Sequence, residues 1–113
     1  MARARRGALD VGATARVFAA LGDETRLRLV TRLCEGGPTS IAKLTSGAEV
    51  TRQAVTKHLR VLEGSGLVQS TREGRESLWE LAPGRLEEAG RYLEEISQHW
   101  DDAIARLKAL VER

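Results

Sequence analysis

The stretch GAEVTRQAVTKHLRVLEGSGLV, residues 47–68, has the pattern of a helix with one apolar face. Val55, Leu59 and Leu62 follow one another at intervals of four and three residues, which places their side chains on the same side of a helix. Thr51 is a suitable N-cap, and the glycines of the GSG segment suit a helix end. The pattern therefore predicts a helix at residues 51–63 that buries this apolar stripe.

The other faces of this predicted helix carry hydrogen-bond donors, and no aspartate or glutamate lies between Thr51 and Leu62. The phosphates and base edges of DNA present many acceptors, and phosphates repel a carboxylate. We therefore interpret the segment as a DNA recognition helix. Its candidate DNA-binding residues are Thr51, Arg52, Gln53, Thr56, Lys57, His58 and Arg60.

Three shorter helices are predicted before it. They lie at about residues 14–21, from an N-cap at Asp23 to about residue 35, and from an N-cap at Ser40 to near Gly47. The apolar residues at helical spacing are Val17, Phe18 and Leu21 in the first helix and Leu27, Val30 and Cys34 in the second. A short helix joined by a tight turn to a donor-bearing helix makes a helix-turn-helix, whose second helix fits the major groove of B-DNA.

A β-hairpin is predicted after the recognition helix. Residues 67–71 and 77–81 are short runs compatible with strands, and the REGRE segment between them contains Gly74, which suits a tight turn. Arg72 and Arg75 lie near the tip of this hairpin, so we include both among the candidate DNA-binding residues.

A long helix is predicted from Pro83 onward, with an apolar residue at alternating intervals of three and four. A small domain would have difficulty covering a stripe of this length, so we interpret it as the interface of a homodimer. The candidate interface residues are Leu86, Ala89, Leu93, Ile96, Trp100, Ala103, Leu107 and Leu110.

These elements predict a mainly α fold with a small β-hairpin wing, that is, a dimeric winged helix-turn-helix in the α+β class. We expect residues 1–12 to form a flexible basic tail, with a phosphate-gripping arm as the alternative. Residues 13–82 would form the DNA-binding domain, and residues 83–113 the dimerisation helix of the same domain.

Composition and charge agree with this organisation. The chain has 113 residues, 42% of them apolar, which suits one domain. Residues 1–83 carry 13 basic and nine acidic side chains, whereas residues 84–113 carry five and seven, so the two parts should have different partners.

Other classes of protein are disfavoured. A single cysteine, Cys34, fits a reducing cytoplasm, and no apolar run is long enough for a membrane span or secretory signal, so we expect a cytoplasmic protein without membrane association. With two histidines and no nucleophile beside an activating base, we expect no enzymatic activity and no cofactor. A protein-interaction module using only the heptad helix is the alternative function.

The segments LGDETRLRLVTRLCEG, TRQAVTKHLRVLEGSGLV and REGRESLWEL resemble the ArsR family of bacterial winged helix-turn-helix repressors. Proteins similar to this family typically show Q-A-V-S-K-H-L, then L and G-L-V; here Thr56 replaces the serine and keeps the hydroxyl. The terminal YLEEISQHWDDAIARLKALVE resembles a metal-independent subgroup with a tryptophan in the dimer helix. The resemblance implies a homodimer, a palindromic operator and repression that a signal relieves.

The sequence departs from the metal sensors of this family. Thiolate sensors carry paired cysteines in the short helix before the recognition helix, where this chain has TSIAKLTSG. Other sensors use Asp and His ligands in the last helix, where His99, Asp101 and Asp102 are the candidates here, too few for the four ligands zinc usually takes. We therefore predict no metal site, and the sequence does not identify a small-molecule effector.

Several residues have a second interpretation. Cys34 is expected to be a small core residue rather than a redox sensor. His58 could equally pack half-buried or contact DNA, and Trp100 could line a ligand pocket instead of a dimer core. Arg72 and Arg75 could simply solubilise a turn.

Overall fold

The computed structural model describes residues 10–47 and 49–112. Five helices and three strands follow one another along these residues. They are α1 (Val11–Leu21), α2 (Glu24–Gly36), β1 (Thr39–Ser40), α3 (Ile41–Thr45), α4 (Arg52–Gly64), β2 (Val68–Glu73), β3 (Glu76–Leu81) and α5 (Arg85–Val111). The predicted winged helix-turn-helix is confirmed.

The first four helices each begin at a side-chain cap. The carboxylates of Asp10 and Asp23 and the hydroxyls of Ser40 and Thr51 accept hydrogen bonds from backbone N–H groups three residues further on. Such caps satisfy donors that the first turn of a helix leaves unpaired. The predicted caps of α2, α3 and α4 are therefore confirmed, whereas α1 begins three residues before the predicted start, inside the predicted tail. Residues 1–9 of that tail lie outside the described residues.

The core forms where α2 and α4 pack against α1, α3 and the sheet. Val55, Leu59 and Leu62 are fully buried, as the spacing in α4 predicts. The predicted stripe of α2 is wrong, because Leu27 is 49% exposed and Cys34 is exposed.

The buried residues of α2 are Leu29, Val30 and Leu33. This face is rotated about the helix axis by about 100° from the predicted one, which is the angle between consecutive residues of an α-helix. The two faces share only Val30. The spacing of the apolar residues is compatible with burial of either face. Contacts with α1, α4 and β3 determine which of the two faces is buried. Cys34 is therefore a surface residue and not a core residue.

The junction between α4 and the wing is fixed by Gly66. Its N–H donates to the carbonyl of Glu63 at 3.0 Å, and the N–H of Leu67 donates to the carbonyl of Leu62 at 3.0 Å. This pair of bonds is the Schellman arrangement, which requires a left-handed residue, and Gly66 has φ +84°. Since β2 begins at Val68, the turn sets the direction in which the wing leaves α4.

The wing is a three-stranded antiparallel sheet in the order β1-β3-β2. The sequence predicted β2 and β3; the two-residue β1, in which Thr39 pairs with Trp79, was not predicted. Trp79 is 2% exposed and lies in the core, so β3 anchors the hairpin on the helices.

Helix α5 begins at Arg85, two residues after the predicted start, and only its first part packs on the rest of the chain. Leu86 packs against the core, Ala89 is buried, and the rings of Phe18 in α1 and Tyr92 lie 6.3 Å apart. Ala89 is thus a core residue of the chain itself and Leu86 is half-buried against that core, so we leave both outside the proposed interface.

The remainder of α5 projects from the body. The Cα radius of gyration is 18.4 Å, compared with about 13 Å for a compact chain of this length. The exposed large apolar residues of this distal part are Leu93, Ile96, Trp100, Ile104, Leu107, Leu110 and Val111. Ala103 lies half-buried among them, and Ile104 and Val111 extend the predicted stripe.

Candidate nucleic-acid interface

The first turn of α4 presents its side chains to solvent. The Thr51 hydroxyl accepts a hydrogen bond from the Ala54 N–H at 3.1 Å, so this residue holds the turn in place. Arg52 and Gln53 are exposed beside it. The N-terminal residues of a recognition helix are those that reach base edges, and both side chains are of suitable type for that contact.

Further along α4, Lys57 is exposed and Thr56 is half-buried. The Thr56 hydroxyl donates to the Arg52 carbonyl at 2.9 Å, and its oxygen lone pairs remain able to accept. Lys57 therefore offers an exposed cation, and Thr56 a short polar contact, on the face that carries Gln53.

A cleft of about 190 Å³ brings α4 and the tip of the wing together. Arg52 of α4 and Arg75 of the β2–β3 turn both line it, next to the first residues of α3. The two guanidinium groups come from positions 23 residues apart in sequence. The sequence predicted both arginines as DNA-binding residues but did not predict that they line the same cleft. Two guanidinium groups can bind a phosphate, but Glu76 lines the same cleft and would repel an anion bound there.

The hairpin is more balanced in charge than its arginines suggest. Arg72 lies in β2 opposite Ser77, and Arg75 is in the two-residue turn with Gly74, both exposed. Glu73 and Glu76 flank the same turn and are also exposed. Any phosphate contact of the wing therefore depends on the individual positions of the arginines and not on a positive field over the whole hairpin.

Arg60 is exposed on α4, but its guanidinium contacts other side chains of the same chain. Its guanidinium carbon lies 5.6 Å from the centre of the Trp79 ring, and its Nη1 lies 3.1 Å from Glu63 Oε1. This cation–π contact ties the last turns of α4 to β3. Arg60 therefore supports the orientation of the wing, and its charge is partly compensated.

His58 faces α2 and not the open side of α4. Its Nδ1 is 3.2 Å from Arg26 Nη1 and 3.8 Å from Asp23 Oδ2, and its side chain is 24% exposed. This arrangement corresponds to the packing interpretation of His58. The backbone N–H of Arg26, which donates to the Asp23 carboxylate, lowers the pKa of that carboxyl, with His58 and Arg26 contributing further.

One contact of the site could not be predicted from the spacing of residues. Arg32 of α2 donates from Nη1 to the Leu44 carbonyl at 2.6 Å and from Nη2 to the Lys43 carbonyl at 2.8 Å. These carbonyls end α3, where a cation satisfies unpaired acceptors. Arg32 thus fixes the first helix of the helix-turn-helix on α2. The only signal in the sequence is the placement of an arginine on the helix before it.

Residues 10–47 and 49–112 contain neither a metal-ligand cluster nor a membrane-spanning helix. No group of three or more His, Cys, Asp or Glu residues in these ranges is placed to hold a metal ion. Within the same ranges, no helix has both the length and the apolar composition needed to cross a bilayer.

The chain is similar in sequence and fold to several transcription regulators. A family model described as a helix-turn-helix domain matches residues 21–71. The HTH-type transcriptional regulator YuzN of Bacillus subtilis is 42% identical over 65 residues, covering 52% of this chain and 71% of that protein.

Two solved structures extend the comparison to α5. An ArsR-like transcriptional regulator from Rhodococcus sp. RHA1 has a TM-score of 0.75 at 38% identity, covering 88% of this chain and 92% of that one. A homodimeric winged helix-turn-helix DNA-binding domain from Mycobacterium bovis has a TM-score of 0.63 at 24% identity, over 90% of each chain. At that identity, the second likeness shows the fold alone.

The fold and the exposed first turn of α4 define a winged helix-turn-helix protein of the DNA-binding class. Within that class, the match to the ArsR-like Rhodococcus regulator, at 38% identity over 92% of that chain, is decisive. The chain belongs to the ArsR family of transcriptional regulators, as its sequence motifs predicted.

Proposed function

We propose that two copies of the chain associate through the distal part of α5 and place their α4 helices in successive major grooves of a palindromic operator. The observation that carries this proposal is the projecting apolar face of α5, combined with an α4 whose first turn is exposed and free of acids.

The second copy as occupant of the α5 face is supported by its composition and position. Seven large apolar side chains between residues 93 and 111 are more than a third exposed, and no part of the described chain covers them. An apolar stripe of this length on a soluble protein marks an interaction surface. The Mycobacterium bovis relative is described as homodimeric, which supports a partner identical to the chain itself.

A two-fold dimer constrains the DNA site. Two recognition helices in successive major grooves on one side of B-DNA lie about 34 Å apart, so the half-sites are centred about 10 base pairs from each other. Because a two-fold axis relates the chains, the half-sites are inverted repeats.

The exposed side chains divide between base edges and phosphates. Gln53 and Arg52 at the first turn are proposed to contact base edges, with Thr56 beside them. Lys57, Arg72 and Arg75 are proposed to contact phosphates, which gives affinity and register but no sequence preference. We leave His58 and Arg60 outside this interface, because their side chains are engaged with α2 and with Trp79.

Regulation is proposed to be repression, since a dimer bound across a promoter would exclude polymerase from the DNA in the cytoplasm. A signal relieves it only if it binds the DNA-free shape of the dimer more tightly than the bound shape. We further propose that this signal is not a metal ion. The support is the sequence: it has a single cysteine, and His99, Asp101 and Asp102 are too few for the four ligands that zinc usually takes.

Selection of bound duplexes from a random pool tests the proposal. The wild type should enrich an inverted repeat with half-sites about 10 base pairs apart. The double variant Arg52→Ala and Gln53→Ala keeps the Thr51 cap and the core, and it should enrich no common sequence. A pool that stays unenriched with the wild type contradicts the proposal. A monomeric protein that binds no duplex would instead favour a protein-interaction module based on α5.

A further inference from the structure

The contacts of His58 differ from those of the other polar residues of α4, because they join the recognition helix to the start of α2. Arg26 Nη1 lies 3.2 Å from His58 Nδ1, and Arg26 Nε donates to the Ala20 carbonyl in the last turn of α1. The same Asp23 oxygen that caps α2, accepting from the Arg26 N–H at 3.0 Å, lies 3.8 Å from His58 Nδ1.

The chemistry of these groups allows only one protonation state for the observed contact. Arginine is a donor without acceptor sites, so a hydrogen bond between Arg26 and Nδ1 requires Nδ1 to be the acceptor. The ring is then neutral and carries its proton on Nε2. A second proton would occupy Nδ1, remove the bond to Arg26 and place two cations next to each other.

A protonated His58 ring has an alternative hydrogen-bond acceptor nearby. The Asp23 carboxylate can accept from a protonated Nδ1, but a normal hydrogen bond needs about 3 Å and the observed separation is 3.8 Å. Closing that gap moves α4 toward the start of α2 or draws Asp23 away from the cap. The first movement changes the angle between α4 and the body, and the second frees the first turn of α2, against which His58 packs.

From these contacts we propose that Asp23, Arg26 and His58 form a proton-sensitive latch that positions the recognition helix. A neutral His58 accepts from Arg26 and holds α4 in its DNA-binding orientation; protonation exchanges Arg26 for Asp23 and weakens sequence-specific binding. The effect on DNA rests on the proposed function of α4. His58 acts here as a positioning residue, five residues, or about 7.5 Å of helix, beyond Gln53.

Among the described residues, few charged groups lie next to the latch. From α2, Asp23 and Arg26 contact the ring, and from α1 the Ala20 carbonyl contacts Arg26. On α4 itself, Lys57 and Arg60 are neighbours in sequence and are exposed. Because Arg26 also joins α1, which packs on α5, the latch lies between the proposed dimer helix and the DNA-binding helix.

Two substitutions separate the effect of protonating His58 from the other effects of pH on DNA binding. His58→Asn keeps an acceptor near the position of Nδ1 and cannot be protonated in this range. Asp23→Asn keeps a good N-cap for α2 and removes only the negative charge. The affinity of each protein for the selected operator is divided by its affinity for a random duplex, at several values between about pH 5.5 and 8, where histidine changes charge. The random duplex corrects for the general gain of positive charge on acidification.

The wild-type ratio should fall about fivefold on acidification, the factor that corresponds to one ordinary hydrogen bond. The His58→Asn ratio should stay flat and match the wild type at high pH. In Asp23→Asn the fall should be smaller, because the protonated ring then has no carboxylate to replace Arg26. Parallel profiles for the wild type and His58→Asn would overturn the latch, since a purely structural role shifts affinity equally at all pH values.

Nitrogen NMR of the DNA-free wild type tests the latch independently of DNA binding and of the folding of any variant. At high pH, His58 should carry its proton on Nε2, and acidification should shift the amide signals of Arg26 and of α4. A ring protonated on Nδ1 at high pH, or unmoved α4 signals, would overturn the latch. If the NMR result is as expected and the wild type prefers no duplex at any pH, the latch stands and the proposed DNA function fails.

Discussion

Trp100 is the residue on which the proposed dimer should depend most strongly. It lies on the distal part of α5 and is 66% exposed in the single chain. A large aromatic side chain buries up to about 250 Å², so about 165 Å² of Trp100 is available to a partner. At about 25 cal/mol per Å², this area corresponds to about 4 kcal/mol per copy as an upper bound.

Trp100→Ala should therefore weaken the dimer strongly. Alanine keeps part of the contact and the partner relaxes, so we expect about 2 kcal/mol per copy, which is typical of an aromatic hot spot. A two-fold dimer contains two copies, and about 4 kcal/mol corresponds to a dimer Kd raised about a thousandfold. Since alanine favours helix more than tryptophan does, the loss cannot be attributed to unfolding of α5.

Equilibrium sedimentation over a wide range of protein concentrations measures this Kd. Leu27→Ala is the matched control, because Leu27 is 49% exposed on α2 and lies outside the proposed interface. Its dimer Kd should equal that of the wild type. A Trp100→Ala protein that keeps both its helix content and the wild-type Kd would refute the assignment of this face to a second copy.

Four further predictions concern DNA binding and stability. Gln53→Ala should relax base preference in the operator by about 1–3 kcal/mol, measured by binding to single-base variants; an equal loss on all sequences would argue against a base contact. Arg75→Ala should weaken all duplexes alike and reduce the slope of log K against log salt by about one, and an unchanged slope would remove it from the phosphate contacts. Gly66→Ala should lower the free energy of unfolding by about 1 kcal/mol or more in urea titrations, because φ +84° strains any other residue, and an unchanged midpoint would contradict this. Backbone N–H donors lower the pKa of Asp10 and Asp23, so their contribution to stability is complete above the ordinary aspartate range and is lost as pH falls below about 4; Asp10→Asn should reduce this acid-dependent loss, as followed by thermal unfolding.

The sequence predicted most of the fold because its elements carry strong local signals. The spacing of Val55, Leu59 and Leu62, the caps at Asp23, Ser40 and Thr51, and the left-handed glycine after α4 are all found in the structure. These features depend on residues within one or two helical turns of one another, so a single sequence contains the information.

Features that depend on contacts between distant segments were missed. The apolar residues of α2 span an arc of about 160°, wider than the face that is buried. Only packing against α1, α4 and β3 decides that Leu29 is buried and Leu27 is not. The two-residue β1 is too short for a periodic signal and exists because Thr39 meets Trp79.

The candidate site shows the same division. The exposed donors of α4 could be predicted from the absence of acids, and Arg52 and Gln53 are presented as expected. Helical periodicity alone could not show that His58 faces Asp23 and Arg26, since those partners lie 35 and 32 positions earlier in the chain. In α5, heptad spacing continued through Leu86 and Ala89 without showing that the chain itself covers them.

Half-site spacing tests most directly the claim that a dimer aims two α4 helices at successive major grooves. The affinity of the wild type is measured for synthetic operators in which the two selected half-sites are moved apart one base pair at a time. We predict a sharp maximum at about 10 base pairs between centres, and a fall to the affinity of a single half-site when about five base pairs are inserted. An affinity that does not change with spacing would contradict the account.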